Sequence, residues 1–204
     1  MSYGIITVLM LIFQHHTMTK VIGVGGEIGS GKDEVLKYLK ARYGIPYIST
    51  GDLVRHIAEA ENVEATRENL AKISARCFEE EGKGCFIRRA ATEIIKRGWK
   101  IAGISGVRSP EDVKILRDTF GKGFILIRVD ISDLQTRFQR VRLRHEERDP
   151  LTFEQFLKQD RNEEKTFNIS HAGRLADYAL NNDGSLEDLH RAIDELVARE
   201  NLLS

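Results

Sequence analysis

The chain has 204 residues, enough for one domain with a sizeable core. Hydrophobic residues make up 41% and charged residues 30%, with 31 basic and 31 acidic side chains, an ordinary soluble balance that excludes a broad basic face for nucleic acid. The two cysteines, Cys77 and Cys85, form no C-x-x-C pair, which excludes a disulfide framework or a zinc site and fits a reducing cytoplasm.

The chain opens on an apolar stretch, "GIITVLMLIF" (Gly4 to Phe13), far shorter than the roughly 20 residues needed to span a bilayer. It lacks a basic leader and an A-x-A cleavage site, so it does not read as a signal peptide or as a membrane segment. Residues 1–17 are either an extension upstream of a true start at Met18 or an added strand or helix that docks on the fold or on a partner. Residues 18–204 read as one domain.

The elements then follow in order. "KVIGVGG" is a β-branched strand running into glycines, and "KDEVLKYLKARYG" is a helix stopped by Gly44. "IPYIS" is a short strand. "TGDLVRHIAEAEN", "TRENLAKISARCFEEEGKG" and Phe86 to Arg97 are three helices. "WKIAGIS" is a strand, followed by a helix with Ser109 as N-cap and Pro110 at its first position. "FILIRVD" is a strand and "SDLQTRFQRVRLRH" a helix with Ser132 as its cap. "TFEQFLKQDRNEE" is a helix, "ADYALNN" a strand and "SLEDLHRAIDELVARE" the closing helix. Alternation of strands and helices predicts an α/β three-layer sandwich, with a parallel five-stranded sheet and helices on both faces. The helical run between the second and third strands, about 51–97, leaves room for an acceptor-binding insertion.

The stretch "GVGGEIGSGKDEV" fits G-x-x-x-x-G-K from Gly26 through Lys32. Between a buried strand and a helix, such glycines let backbone N–H groups converge on phosphate, aided by the helix dipole, while the lysine bridges the β- and γ-phosphates. Gly26, Glu27, Ile28, Gly29, Ser30, Gly31, Lys32 and Asp33 are therefore the candidate nucleotide-binding residues. The position after the lysine normally carries a Ser or Thr hydroxyl for Mg²⁺. Here it is Asp33, either a metal ligand through its carboxylate or an acid that complements the helix dipole.

"GEIGSGKDEVLKYLKARYGIPYISTGDLVR" resembles the P-loop small-molecule kinases, P-loop NTPases that include nucleoside monophosphate and dephospho-coenzyme A kinases. The loop is similar to the "GGIGSGKS" of dephospho-coenzyme A kinases, and "STGDLVR" to the adenylate kinase motif that opens the monophosphate-binding helix. "ADYALNNDGSLEDL" resembles the last strand and helix start of dephospho-coenzyme A kinases. Overall, from Lys20 onward, the order of motifs is most similar to an archaeal-type, dephospho-coenzyme A kinase-like and adenylate kinase-related group. The resemblance implies ATP and Mg²⁺ as cofactors. It places Thr50, Asp52, Arg55 and Arg108 at the acceptor site, with Asp52 a helix N-cap, a metal-water partner or a base. Many relatives of this kind carry an acid at the end of the third strand, as in "DGFPR" of adenylate kinases. Here Ser105 stands there, so Asp33 and Ser105 read as one exchange of carboxylate and hydroxyl.

"RFQRVRLRHEERDP" places Arg137, Arg140 and Arg144 on one helical face. Its position matches a kinase lid, about 140–165, whose arginines would stabilise the transferring phosphate. Arg140 and Arg144 lead, with Arg161 a weaker third. The expected function is ATP-dependent phosphoryl transfer to a small nucleotide-like acceptor, first a nucleoside monophosphate. Dephospho-coenzyme A is the alternative acceptor, and a nucleotide-binding regulatory ATPase the alternative class. The expected state is a cytoplasmic monomer or homodimer, with no nucleic-acid or membrane partner.

Overall fold

A computed structural model describes residues 19–143 and 150–203. Residues 1–17, Met18 and Arg144 lie outside the described residues. Five parallel strands, β1 (Lys20–Gly25), β2 (Tyr47–Ser49), β3 (Ile101–Val107), β4 (Phe124–Asp130) and β5 (Tyr178–Asn181), form one sheet in the order β2-β3-β1-β4-β5. The central strand is buried on both sides because its side chains alternate between two cores. Val21 packs with Ala102, Leu126 and Phe124 on one face, while Ile22 and Val24 pack with Ile127 and Val129 on the other.

Helices cover both faces, as the alternation predicted. The second core is closed by α1 (Lys32–Tyr43), through Val35, Leu36 and Leu39, and by the C-terminal helix Leu186–Arg199. Between β2 and β3 run α2 (Thr50–Ala60), α3 (Arg67–Glu81) and α4 (Cys85–Arg97). Their mutual core contains Val54, Ala58, Ile73 and Phe86 with both cysteines buried, so the expected insertion is a packed helical unit. The first core is closed by α4 and α5 (Pro110–Phe120). Helix α5 starts on the expected Ser109 cap, in a reciprocal box with Asp112.

After β4 come α6 (Leu134–Leu143), α7 (Phe153–Phe167) and α8 (Ile169–Arg174), and the closing helix is α9 (Leu186–Arg199). Three details differ from the sequence reading. The side chain at the start of α6 that accepts the Thr136 N–H is Asp133, because Ser132 is engaged instead by the Asp183 carboxylate. Helix α7 runs on to Phe167. Helix α8 was not foreseen: Asn168 adopts a left-handed φ of 55°, which ends α7 and turns the chain into a further helical turn and a half. The faces of α6 and α7 meet through Phe138, Phe153 and Phe156, and Ile28 of the phosphate loop is buried in the same cluster.

Candidate nucleotide and acceptor site

The loop from Gly26 to Gly31 joins β1 to α1 at the carboxyl edge of the sheet, where β1 lies between β3 and β4. In open parallel sheets this edge and this change of direction mark the ligand side. The curl depends on glycine. Gly26 has φ 151° and Gly31 φ 92°, and a Cβ on Gly26 would sit 2.6 Å from both the Ser30 hydroxyl and the Val129 carbonyl oxygen. The Lys32 ammonium donates to the Glu27 carbonyl at 3.3 Å, so the lysine folds back over the loop. The Ser30 hydroxyl is buried and has no hydrogen-bond partner among the described residues.

Two side chains outside the loop fix its backbone. Asn182, buried just after β5, donates from Nδ2 to the Ser30 carbonyl at 2.8 Å, and its own N–H is held by the Asp130 carbonyl. Arg137 on α6 is 1% exposed. Its Nε donates to the Ile28 carbonyl at 2.8 Å, and its terminal nitrogens pair with Glu27, at 2.7 Å, and with Asp160 on α7. The guanidinium also stacks over the Phe156 ring. The sequence reading put Arg137 on the arginine face of the lid. Burial makes it instead a bolt between the loop and the α6–α7 pair. Burial raises the Glu27 pKa above its usual 4.5, while Arg137 opposes that shift.

Asp33 is exposed in the first turn of α1, and the buried Ser105 hydroxyl at the end of β3 donates to its carboxylate. The two positions singled out as an exchange therefore touch. Their register explains it: Ser105 pairs with Val24, one residue before the β1 end.

The proposed acceptor residues fall in two groups. Thr50 is buried against Gly106, whose φ of 87° marks the shift in register between β3 and β1. Asp52 does not cap α2. Ser49 does, accepting the Asp52 N–H at 3.3 Å, because the helix begins at Thr50. Asp52 instead pairs with Arg55 on the exposed side of α2. Arg108 lies with its guanidinium over the Phe167 ring, 5.4 Å from its centroid, while its backbone N–H is held by Asp112. Arg140 reaches the Gly184 carbonyl, in the loop after β5, at 3.3 Å. His56 and His171 belong to no metal-binding group, and among the described residues no cluster of three His, Cys, Asp or Glu side chains could hold an ion.

A cavity of about 250 Å³ opens beside the loop, between the ends of β1 and β4 and helix α8. Leu126, Val107, Ile169 and Ala172 give it apolar walls, and Glu27, Arg128, Asp130 and Arg174 bring charge. None of Thr50, Asp52, Arg55 or Arg108 lines it. Arg128 and Arg174 escaped the sequence reading because one sits within a strand and the other in the unforeseen helix.

Residues 25–156 match the family model described as an AAA domain. A UPF0200 protein of Thermococcus onnurineus is 35% identical over 182 residues, covering 88% of this chain and 97% of that protein. One from Pyrococcus horikoshii is 36% identical over 182 residues, covering 88% and 96%. The chain belongs to the UPF0200 family. Its relatives carry that family name and not the name of a dephospho-coenzyme A or adenylate kinase. Among solved structures, a shikimate kinase from Bacteroides thetaiotaomicron superposes with a TM-score of 0.58 at 13% identity, over 90% of this chain and 99% of that one. A gluconokinase from Sinorhizobium meliloti gives 0.52 at 15% identity, over 92% and 98%. At such identities the likeness establishes the fold, that of the P-loop kinases.

Proposed function

We propose that the protein is an ATP- and Mg²⁺-dependent kinase of a small nucleotide-like acceptor, with a nucleoside monophosphate as the first reading. The observation that carries this is the glycine-curled loop with Lys32, braced by Asn182 and Arg137, at the ligand edge of the sheet. Its N–H groups and the α1 dipole would take the triphosphate, with Lys32 on the β- and γ-phosphates. The Ser30 hydroxyl, buried without a partner, fits a loop that closes on an anion.

Asp33 and Ser105 would face Mg²⁺. A carboxylate paired with a hydroxyl suits a hard, oxygen-seeking cation, which usually takes only one or two protein ligands beside phosphate and water. The ion would supply charge neutralisation at the phosphates. Arg140 and Arg144 would serve as lid arginines, and Thr50, Asp52, Arg55 and Arg108 as the acceptor wall, with in-line transfer favoured by the fixed loop.

A hydroxyl acceptor such as dephospho-coenzyme A is the second reading. Such an acceptor must lose a proton, and the Glu27 carboxylate, which lines the cavity, would receive it. A coupled assay of ADP release with ATP, Mg²⁺, a nucleoside monophosphate panel and dephospho-coenzyme A separates the two. Turnover no faster than with ATP alone across the panel sinks the kinase reading in favour of a regulatory ATPase.

A further inference from the structure

We infer that the cavity between the loop and α8 is an anion-reading pocket, in which Arg128 and Arg174 hold the acidic group of a compact organic acid. This deepens the kinase reading and rests on it for the identification of that ligand as the acceptor. It moves the recognition of charge away from Arg55 and Arg108.

The unused guanidinium donors point to an anion. Of the two acids at the cavity, Glu27 is paired with Arg137, and Asp130 accepts from Arg128 Nε at 2.8 Å. Among the described residues Arg128 makes no other hydrogen bond, which leaves the edge formed by its two terminal nitrogens, the edge that binds two oxygens of a carboxylate or phosphate. Arg174 makes neither a hydrogen bond nor an ion pair to any described residue. With Arg137 and its second partner Asp160 included, the charges balance, and what the cavity offers is the unused edge of Arg128 beside the Arg174 guanidinium. Arg55 is paired with Asp52 and Arg108 lies over Phe167, and neither lines the cavity.

The fold makes room for this arrangement. Arg128 sits opposite Gly25, at the start of the loop. Its side chain lies against Gly173 of α8, where a Cβ would come within 2.8 Å of Arg128 Cδ. The apolar walls exclude water from the body of a ligand and strengthen its charge contacts. At about 250 Å³ the space is just below the usual range for ligand pockets, which starts at roughly 300 Å³. It suits a compact acid, or the acidic end of a larger molecule. Because Gly26 and Glu27 line it, a ligand seated there adjoins the loop that would present the γ-phosphate.

The test is calorimetric titration of protein saturated with Mg²⁺ and a non-hydrolysable ATP analogue. The two probes are AMP, a phosphate monoester, and glycerate, a compact hydroxy acid. At least one should bind the wild type. Arg174→Ala, at an exposed position that leaves the core intact, should weaken that binding by about tenfold, the scale of one charge-assisted hydrogen bond. Gly173→Ala should weaken it as well, although alanine favours the helix, because the added methyl displaces Arg128. Binding of neither probe overturns the inference. So does unchanged affinity in both variants, or a loss confined to Arg55→Ala and Arg108→Ala. The titration needs no turnover, so a pocket that binds AMP in a protein that transfers no phosphate keeps this inference and sinks the kinase reading alone.

Discussion

The Ser105 hydroxyl donates to the Asp33 carboxylate, so the end of β3 and the first turn of α1 share one hydroxyl–carboxylate pair. The resemblance to kinases with the hydroxyl in the loop and the acid on the strand predicts an exchange of the two types, and here the two side chains are in contact. If that pair faces Mg²⁺, Asp33→Ala should raise the Mg²⁺ concentration for half-maximal ADP release by about tenfold. The double exchange Asp33→Ser with Ser105→Asp should return it to within about threefold, because the coupled pair is rebuilt. An Asp33→Ala protein with unchanged Mg²⁺ dependence would exclude the carboxylate as a ligand.

Lys32 folds over the loop to the Glu27 carbonyl, and on nucleotide binding its charge should pass to the phosphates. Lys32→Ala should lower turnover by about a hundredfold or more, the scale of removing one preorganised charge from a phosphoryl-transfer site. Steady-state ADP release measures it, and far-ultraviolet circular dichroism should show the fold unchanged.

Arg137 is buried with Glu27 and Asp160 as partners, and its removal leaves their charges uncompensated. Arg137→Met should cost about 3 kcal/mol, the lower part of the range for breaking a buried pair, because Glu27 keeps 46% of its side chain exposed. Adding Asp160→Leu should recover part of that loss. Urea denaturation of the two variants gives both numbers. A loss no larger than that of a surface ion pair would contradict the bolt between the loop and α7.

Asp112, in the first turn of α5, completes the box with the Ser109 cap and accepts the N–H groups of Arg108 and Ser109, each at 3.0 Å. Burial raises its pKa above 3.8, and those hydrogen bonds only partly offset the effect. Between 3.8 and the raised value the folded protein holds more protons than the unfolded chain, so stability falls as pH rises through that window, and the deficit persists above it. Asp112→Asn, which keeps an acceptor oxygen and loses the charge, should flatten this slope in urea midpoints taken upward from acid pH. Asp112→Ala should cost about 1 kcal/mol at neutral pH through the lost half of the capping box.

Local signals were enough for the skeleton. The strand "FILIRVD" is read from its apolar run, and the Ser109–Pro110 start of α5 and the Gly44 stop of α1 rest on interactions within a few residues, so sequence reads them directly. The phosphate loop is of the same kind, since its glycines encode its curl. The missed helix α8 had no such signal: six residues give too few turns for a periodicity, and its start depends on one left-handed asparagine.

By itself, the sequence determined the parallel α/β order, the loop with Lys32, and the suspicion that Asp33 and Ser105 belong together. Only the tertiary structure decided that those two touch, that Arg137 is a buried brace, and that Arg128 and Arg174 share a cavity. The physical reason is distance along the chain. Ser105 lies 72 residues from Asp33, and Arg137 lies 109 from Ile28, so strand register and helix docking bring them together and no local pattern can. Charge shows the same limit. A run of arginines reads alike on a solvated face, a lid or a core, and burial decides which of these each one occupies.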